Sequence, residues 1–248
     1  LTVAIDRDGF AVNPTSCSVK SVRATVGGGG GATATPSSRY QVGECGSLRF
    51  SPRMTLQLTG RKQVRPGKHP GLKVRLRQGR GQAHLRRVRL TLPTGVALDI
   101  NNLPSEVCSA AQIAVRDCPA AARVGSASAV TSLLNQRLRG GVYLGQGTGD
   151  LPSLIVLLNG EIDVTLEGKN VFTKAGLRNT FSGIPDVPIS DFRLSLNGGG
   201  KGILTPVRRS LCARKLTAPV QMIGQNGLHK DVRVSISRPC SKKSSRRR

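Results

Sequence analysis

Two stretches decide the fold class of this sequence, Leu72-Lys-Val-Arg-Leu-Arg77 and Arg87-Val-Arg-Leu-Thr-Leu92. In both, apolar residues alternate with cationic or hydroxyl residues, and this period of two is typical of a β-strand with one buried face. The segment between them, Gln78-Gly-Arg-Gly-Gln82, carries glycines that suit a tight connection. The pattern therefore predicts a β-hairpin. Its apolar face consists of Val74, Leu76, Val88, Leu90 and Leu92.

Short segments of the same kind recur along the chain between turns. Further strands are predicted at 54–58, 141–144, 154–158, 161–166, 192–196, 203–205, 217–223 and 231–236. Asn159-Gly160 and Asn226-Gly227 indicate turns, because both residue types tolerate positive φ. Strands at such short intervals favour an antiparallel sandwich or barrel. We expect an all-β fold, specifically an antiparallel β-sandwich that is Ig-like or related.

Little of the sequence favours a helix. Residues 105–115 predict one short helix with Ser105 as its N-cap. The five consecutive glycines from Gly27 to Gly31 are typical of a flexible loop.

The six cysteines carry the second strong signal, because one spacing occurs twice. They are Cys17, Cys45, Cys108, Cys118, Cys212 and Cys240. The first two and the last two are each 28 residues apart, and the middle two are 10 apart. Six cysteines allow 15 complete pairings, of which sequential pairing is the simplest. Loop closure would then contribute about 3 to 4 kcal/mol for each longer bridge and roughly 2.7 kcal/mol for the short one.

A metal site explains these cysteines poorly. The sequence has no CxxC motif, and its three histidines are scattered. We expect no metal and no cofactor. Disulfides imply an oxidising compartment, so the sequence predicts an extracellular or cell-envelope location. No apolar run approaches the roughly 20 residues that a transmembrane helix needs.

The matching cysteine spacings also suggest a repeat with a period of 195 residues, from Cys17 to Cys212. Each of these two cysteines follows a glycine, an apolar pair and a proline, and each precedes a lysine by three residues. We expect residues 1–47 to be the C-terminal portion of a preceding repeat and 48–240 to be one complete β-rich repeat of one or two sub-sandwiches. A disordered basic tail is predicted at 241–248.

The chain is strongly basic, with 38 Lys and Arg against 13 Asp and Glu and a net charge of +25. Such a charge attracts polyanions and says nothing about the fold. In the predicted hairpin, five cations lie opposite the apolar face: Lys73, Arg75, Arg77, Arg87 and Arg89. Like charges opposed across a sheet destabilise it, and a bound polyanion would relieve that repulsion. The alternative is that these side chains only cover the sheet while their charged ends stay in water.

The sequence shows no catalytic grouping. It has no GxSxG, HExxH, P-loop or strand-linked GxGxxG motif. Glu161 and Asp163 are two residues apart on an alternating segment, so they share a face and could pair as carboxylates, although a solvated edge explains them equally well. We therefore expect that this protein is not an enzyme.

Several further stretches resemble a type of uncharacterised exported repeat protein encoded by actinobacteria. They are Asn13-Pro-Thr-Ser-Cys17, Leu92-Pro-Thr-Gly-Val-Ala-Leu-Asp99, Cys108 through Pro119, Gly141-Val-Tyr-Leu144, Leu151-Pro152 and Phe181-Ser-Gly-Ile-Pro-Asp-Val-Pro-Ile-Ser190. The resemblance implies β-sandwich-like, cysteine-paired units in a secreted or envelope protein. It implies no catalytic or binding residues.

These observations favour a structural or adhesive module of the cell surface that binds anionic envelope polymers. The first alternative is a nucleic-acid-binding protein, but two Tyr, five Phe and no Trp offer little for base stacking. The second alternative is a hydrolase of envelope polymers, which requires a pocket with paired carboxylates.

Overall fold

The fold was determined as a computed structural model that describes residues 4, 12–147, 149–207, 209–213 and 215–240. Its strands are β1 (Lys20–Arg23), β2 (Val26–Gly27), β3 (Thr33–Ala34), β4 (Ser37–Tyr40), β5 (Arg53–Thr59), β6 (Gly71–Arg77), β7 (Leu85–Thr91), β8 (Val96–Leu98), β9 (Arg123–Thr131), β10 (Leu138–Gly145), β11 (Ser153–Asn159), β12 (Val164–Thr173), β13 (Gly176–Phe181), β14 (Ile189–Leu196), β15 (Leu204–Pro206), β16 (Thr217–Gly224) and β17 (His229–Ser237). One α-helix, α1 (Ala110–Ala114), and four short 3₁₀ turns complete the described elements.

Eleven of these strands close into a single barrel, in the order β10-β11-β12-β13-β7-β16-β17-β5-β6-β14-β9. Ten of the neighbouring pairs are antiparallel, and only β17 and β5 run parallel. The chain is therefore rich in β-strands as expected, but the prediction of a β-sandwich is wrong. Strand alternation is the same in both architectures, and the barrel depends on long-range pairs such as Ile236 with Leu56.

The predicted hairpin between the two opening stretches is also wrong. Strand β6 pairs with β5 and β14, whereas β7 pairs with β13 and β16. Three strands, β16, β17 and β5, separate β6 from β7 in the wall. Each strand does turn its apolar residues inward, so Leu76 and Val88 both pack in the interior. Period-two alternation predicted which face is buried, but it did not predict the neighbours.

The interior of the barrel is the hydrophobic core. Strands β5, β9, β10 and β11 contribute many leucine and valine side chains to the larger cluster, in which Val142, Leu144 and Val156 are fully buried. A smaller cluster around Met222 continues the core between β6, β7 and β16. The two-stranded sheet of β8 and β15 adds Val96 and Leu204 to the larger cluster.

All three sequentially paired disulfides are present: Cys17–Cys45, Cys108–Cys118 and Cys212–Cys240. The middle bridge closes the segment that contains α1. That helix begins after Ser109, whose side chain accepts a hydrogen bond from the Gln112 amide. The predicted N-cap at Ser105 is therefore wrong, because Ser109 forms a capping box with Gln112 that Ser105 does not.

The Cys17–Cys45 bridge closes an exposed ribbon outside the barrel wall. Strands β1 and β4 pair, and beyond them β2 and β3 pair around the glycine run. The Gly28 amide donates to the Ala32 carbonyl, so the predicted loop is the turn of a hairpin.

The strands of the barrel all lie between Arg53 and Ser237, inside the predicted 48–240 unit. The assignment of 1–47 to a preceding repeat stays a prediction, and most of 1–11 lies outside the described residues, as does the predicted tail at 241–248. Within the part of the chain that is described, no helix combines the length and apolar character needed to cross a bilayer.

Candidate functional site: a cationic groove on the barrel wall

The structure separates the five cations that the sequence grouped together. Lys73, Arg75 and Arg77 lie on the outer face of β6, and Arg87 and Arg89 lie on the outer face of β7. Because three strands intervene, these side chains belong to two different sectors of the wall. Arg77 lies opposite Arg53 and Asp191 at one end of the first sector.

The first sector contains an open groove of about 890 Å³ across β5, β6, β14, β9 and β10. Five cations line it, and we call it the cationic groove: Lys73, Arg75, Arg123, Arg139 and Arg193. Its lining contains no carboxylate and no imidazole.

Strand register explains why these cations form a row. Arg75 lies opposite Arg193, Arg193 lies opposite Ser128, and Ser128 lies opposite Arg139. Neighbouring strands are about 4.8 Å apart, so three guanidinium groups are distributed over roughly 14 Å perpendicular to the strands.

A parallel row of small residues forms the floor of the groove. Ser195 lies opposite both Lys73 and Ser126, and Ser126 lies opposite Gly141. These residues lie two positions along their strands from the guanidinium row, which corresponds to about 7 Å. Long cationic side chains therefore flank a floor of hydroxyl groups and glycine, and this difference in side-chain size produces the groove.

The far side of the floor is formed by Arg123 and Tyr143, which lie opposite each other. The Tyr143 ring packs over Gly141, where an added Cβ atom would approach the ring carbon to within 2.4 Å. Tyr143 is the one aromatic residue of the groove lining. The groove thus combines guanidinium groups, hydroxyl groups and one aromatic ring.

The buried carboxylate of Asp191 pairs with two of the three arginines in the guanidinium row. Its carboxylate accepts from Arg75 Nε at 2.6 Å and from Arg193 Nε at 2.8 Å, and Arg137 approaches it to 3.4 Å. Burial raises the pKa of Asp191, but hydrogen bonds and charge from Arg75 and Arg193 outweigh that effect and hold the pKa below its ordinary value. The repulsion expected between the opposed Arg75 and Arg193 is therefore compensated.

The remaining cations of the groove have no such partner. None of the ion pairs within the described residues includes Lys73, Arg123 or Arg139. Arg123 donates only to the backbone carbonyl of Gly125, at 3.2 Å. These three side chains are exposed and are available to a ligand.

The second sector carries four arginines whose surroundings differ from those of the groove. We call them the second patch: Arg87, Arg89, Arg178 and Arg233. Its depression measures about 400 Å³ and is lined by Pro219, Gln221 and Asp231 among others. Arg89 donates to Gln221 at 2.9 Å, and Gln221 reaches Asp231. Larger side chains and a carboxylate therefore occupy the floor between these arginines.

Two histidine–aspartate pairs lie away from the groove. His84 Nδ1 lies 2.8 Å from Asp186 Oδ1, and Asp186 also accepts from the amides of Thr15 and Ser16. Burial raises the pKa of Asp186, but the Thr15 amide and the other donors hold the pKa below its ordinary value. This cluster attaches the segment before Cys17 to the barrel.

The second pair joins His69 Nε2 and Asp99 Oδ2 at 2.8 Å, and this hydrogen bond lowers the pKa of Asp99. It links the loop before β6 to the end of β8. Both pairs connect segments of chain that are distant in sequence. The described residues hold no group of three potential metal ligands.

The carboxylates singled out in the sequence have separate partners. Glu161 accepts from the Gln136 amide at 2.9 Å, and Asp163 lies 3.4 Å from Arg116. Both precede β12, so the predicted strand at 161–166 begins only at Val164.

Sequence reasoning missed three cations of the groove: Arg123, Arg139 and Arg193. Strand β9 was not predicted, although Ser126-Ala-Ser-Ala129 alternates, because serine and alanine differ little in hydropathy. That alternation of very small residues is the signal that would have located the floor. Comparison with protein-family models and with curated protein sequences finds no match for this chain.

Proposed function

We propose that this chain is a non-catalytic, disulfide-stabilised module of a secreted or cell-surface bacterial protein, and that its cationic groove binds anionic envelope polymers. The observation that carries the proposal is the guanidinium row beside a floor of small hydroxyl residues. Arginine donates in a planar fork that matches phosphate and carboxylate groups. A groove that crosses five strands suits an extended polymer better than a small compact ligand.

Three disulfides support the location, because such bonds persist in oxidising compartments. The bacterial origin rests on the sequence resemblance. The groove lining has no carboxylate or imidazole to act as acid or base, so the proposal assigns it binding and not hydrolysis.

Tyr143 favours a polymer that carries ring-shaped units. Tyr143 lies opposite Arg123 and its ring covers the floor residue Gly141, where a sugar ring would contact it while charged substituents reach the arginines. Single-stranded nucleic acid also combines rings with phosphates, but one aromatic ring provides little stacking for successive bases.

The test compares two variants that lose the same charge. The first, Lys73→Gln/Arg123→Gln/Arg139→Gln, removes the three groove cations that have no ion pair among the described residues. The control, Arg87→Gln/Arg89→Gln/Arg233→Gln, removes three cations of the second patch. Binding of poly(glycerol phosphate), hyaluronate and a 20-nucleotide single-stranded DNA is measured by calorimetry at fixed salt.

We expect the groove variant to lose at least tenfold in affinity for an envelope-type polyanion, and the control to remain within threefold of the wild type. An equal loss in both variants would show that net charge alone is responsible. Preferential, tight binding of the DNA would establish the nucleic-acid alternative instead.

A further inference from the structure

The barrel interior contains an apolar cavity of about 110 Å³, separate from the groove outside. It lies between the two core clusters, and residues of both line it. Leu72 and Leu194 of the larger cluster line it, as do Val88 and Ile184 of the smaller cluster. The core is thus incompletely filled, whereas protein interiors normally pack like organic crystals.

Side chains around the cavity point inward and yet are not fully enclosed. Met54, Leu90 and Phe181 lie at inward positions of β5, β7 and β13 and pack against both clusters, but each remains only partly buried. An unfilled apolar space of this kind costs stability, since its lining lacks contacts on one side. A ligand of matching size and polarity would restore those contacts.

One polar feature interrupts this lining. Asn179 Nδ2 donates to Asn170 Oδ1 at 2.9 Å, and Asn170 Nδ2 donates to the Pro152 carbonyl at 2.7 Å. Within the described residues, no donor reaches Asn179 Oδ1. Asn179 lies on β13 beside the Phe181 ring, which packs over Gly168. The cavity therefore offers one hydrogen-bond acceptor next to an aromatic surface.

The size of the cavity limits the ligand. An apolar cavity of about 150 Å³ stays dry and binds benzene, so a space of about 110 Å³ suits a molecule of that order. Water is a poor occupant of an almost wholly apolar space, because it needs two to four polar partners.

We propose that the barrel interior binds a small, largely apolar molecule with a single hydroxyl group, which donates to Asn179 Oδ1. The inference is independent of polymer binding at the groove, since the two sites lie on opposite faces of the wall.

The test uses toluene and benzyl alcohol, which differ by that hydroxyl group. The chain has two methionines, Met54 and Met222. Met54 lines the cavity and Met222 is fully buried beside it, so ¹³C-methyl methionine NMR reports binding in the intact protein. We expect both compounds to shift the Met54 signal more than the Met222 signal. One additional hydrogen bond is worth about 1 kcal/mol, so benzyl alcohol should bind about fivefold more tightly than toluene.

Two variants and one control test whether the ligand binds in the cavity. Asn179→Leu should retain toluene binding and lose the preference for benzyl alcohol. Val74→Phe should fill the cavity and abolish both, whereas Val171→Phe, on the exposed outer face of β12, should bind as the wild type does. Should Val74→Phe fail to fold, the wild-type spectra and Asn179→Leu still decide. The absence of any Met54 shift at saturating toluene, or an unchanged preference in Asn179→Leu, would overturn the proposal.

Discussion

The cationic groove and the second patch have similar numbers of cations on the same barrel but differ in what lies between them. In the groove the floor is Ser195, Ser126 and Gly141, and the one carboxylate, Asp191, is buried beneath the arginines. In the second patch the floor holds Gln221 and the exposed Asp231. Charge alone therefore does not distinguish them. The groove differs in having space beside its guanidinium groups and unpaired cations around that space.

The largest expected difference is in salt dependence. For a single-stranded polyanion, each cation that neutralises a polymer charge contributes about 0.7 to the slope of log affinity against log salt. With five cations engaged, affinity for poly(glycerol phosphate) should fall on the order of a hundredfold between about 50 and 200 mM salt. Titrations at four salt concentrations measure the slope.

The triple variants described above sharpen this expectation. Removing Lys73, Arg123 and Arg139 should reduce the slope by about 2, whereas the control triple should leave it unchanged. Equal slopes in the two variants would mean that the polymer does not distinguish the sectors.

A bulky uncharged substitution on the groove floor tests whether binding depends on the shape of the groove. Ser126→Tyr places a large ring on the groove floor at an exposed strand position that accepts aromatic residues. We expect about a tenfold loss of affinity, which corresponds to about 1.4 kcal/mol. The matched control is Gln221→Tyr in the second patch, and retention of full affinity by Ser126→Tyr would exclude the floor as the binding surface.

Asp191 in the first sector and Asp231 in the second patch should differ in their contribution to the free energy of unfolding. Asp191→Asn leaves Arg75 and Arg193 without their charged partner, and we expect the free energy of unfolding to fall by about 1 to 2 kcal/mol. Asp231 is exposed, so Asp231→Asn should change it by less than about 0.5 kcal/mol. Urea unfolding of both variants measures the difference, and equal effects would contradict the positioning role of Asp191.

The stability that Asp191 contributes should also depend on pH. Because the folded state lowers the pKa of Asp191, its contribution is present above the unfolded pKa and is lost as pH falls through the lower folded pKa. The stability gap between wild type and Asp191→Asn should therefore be full at pH 6 and close in strong acid. A gap that persists at acid pH would show that the substitution acts through packing and not through charge.

Much of the local structure was predictable from sequence. Alternation located β5, β6, β7 and β16, because it depends only on neighbouring residues. The repeated cysteine spacing indicated the three disulfides. Barrel closure was not predictable in this way, since pairs such as Phe181 with Val88 join residues far apart in sequence. The single parallel pair of β17 with β5 has no local signature either.

The candidate site was predictable only in part. Lys73 and Arg75 were found because they alternate with large apolar residues. Arg139 and Arg193 join them through strand pairing, and Arg123 begins a strand whose small residues give a weak hydropathy signal. Arg87 and Arg89 were grouped with the site because adjacent strands in sequence were expected to pair, and here they do not.

Arginine footprinting with phenylglyoxal, read by peptide mass spectrometry with and without poly(glycerol phosphate), tests the central claim most directly. If the polymer binds in the cationic groove, it should protect Arg123, Arg139 and Arg193 and leave Arg87 and Arg233 as reactive as in the unbound protein. Uniform protection of both sectors, or protection of the second patch alone, would contradict it.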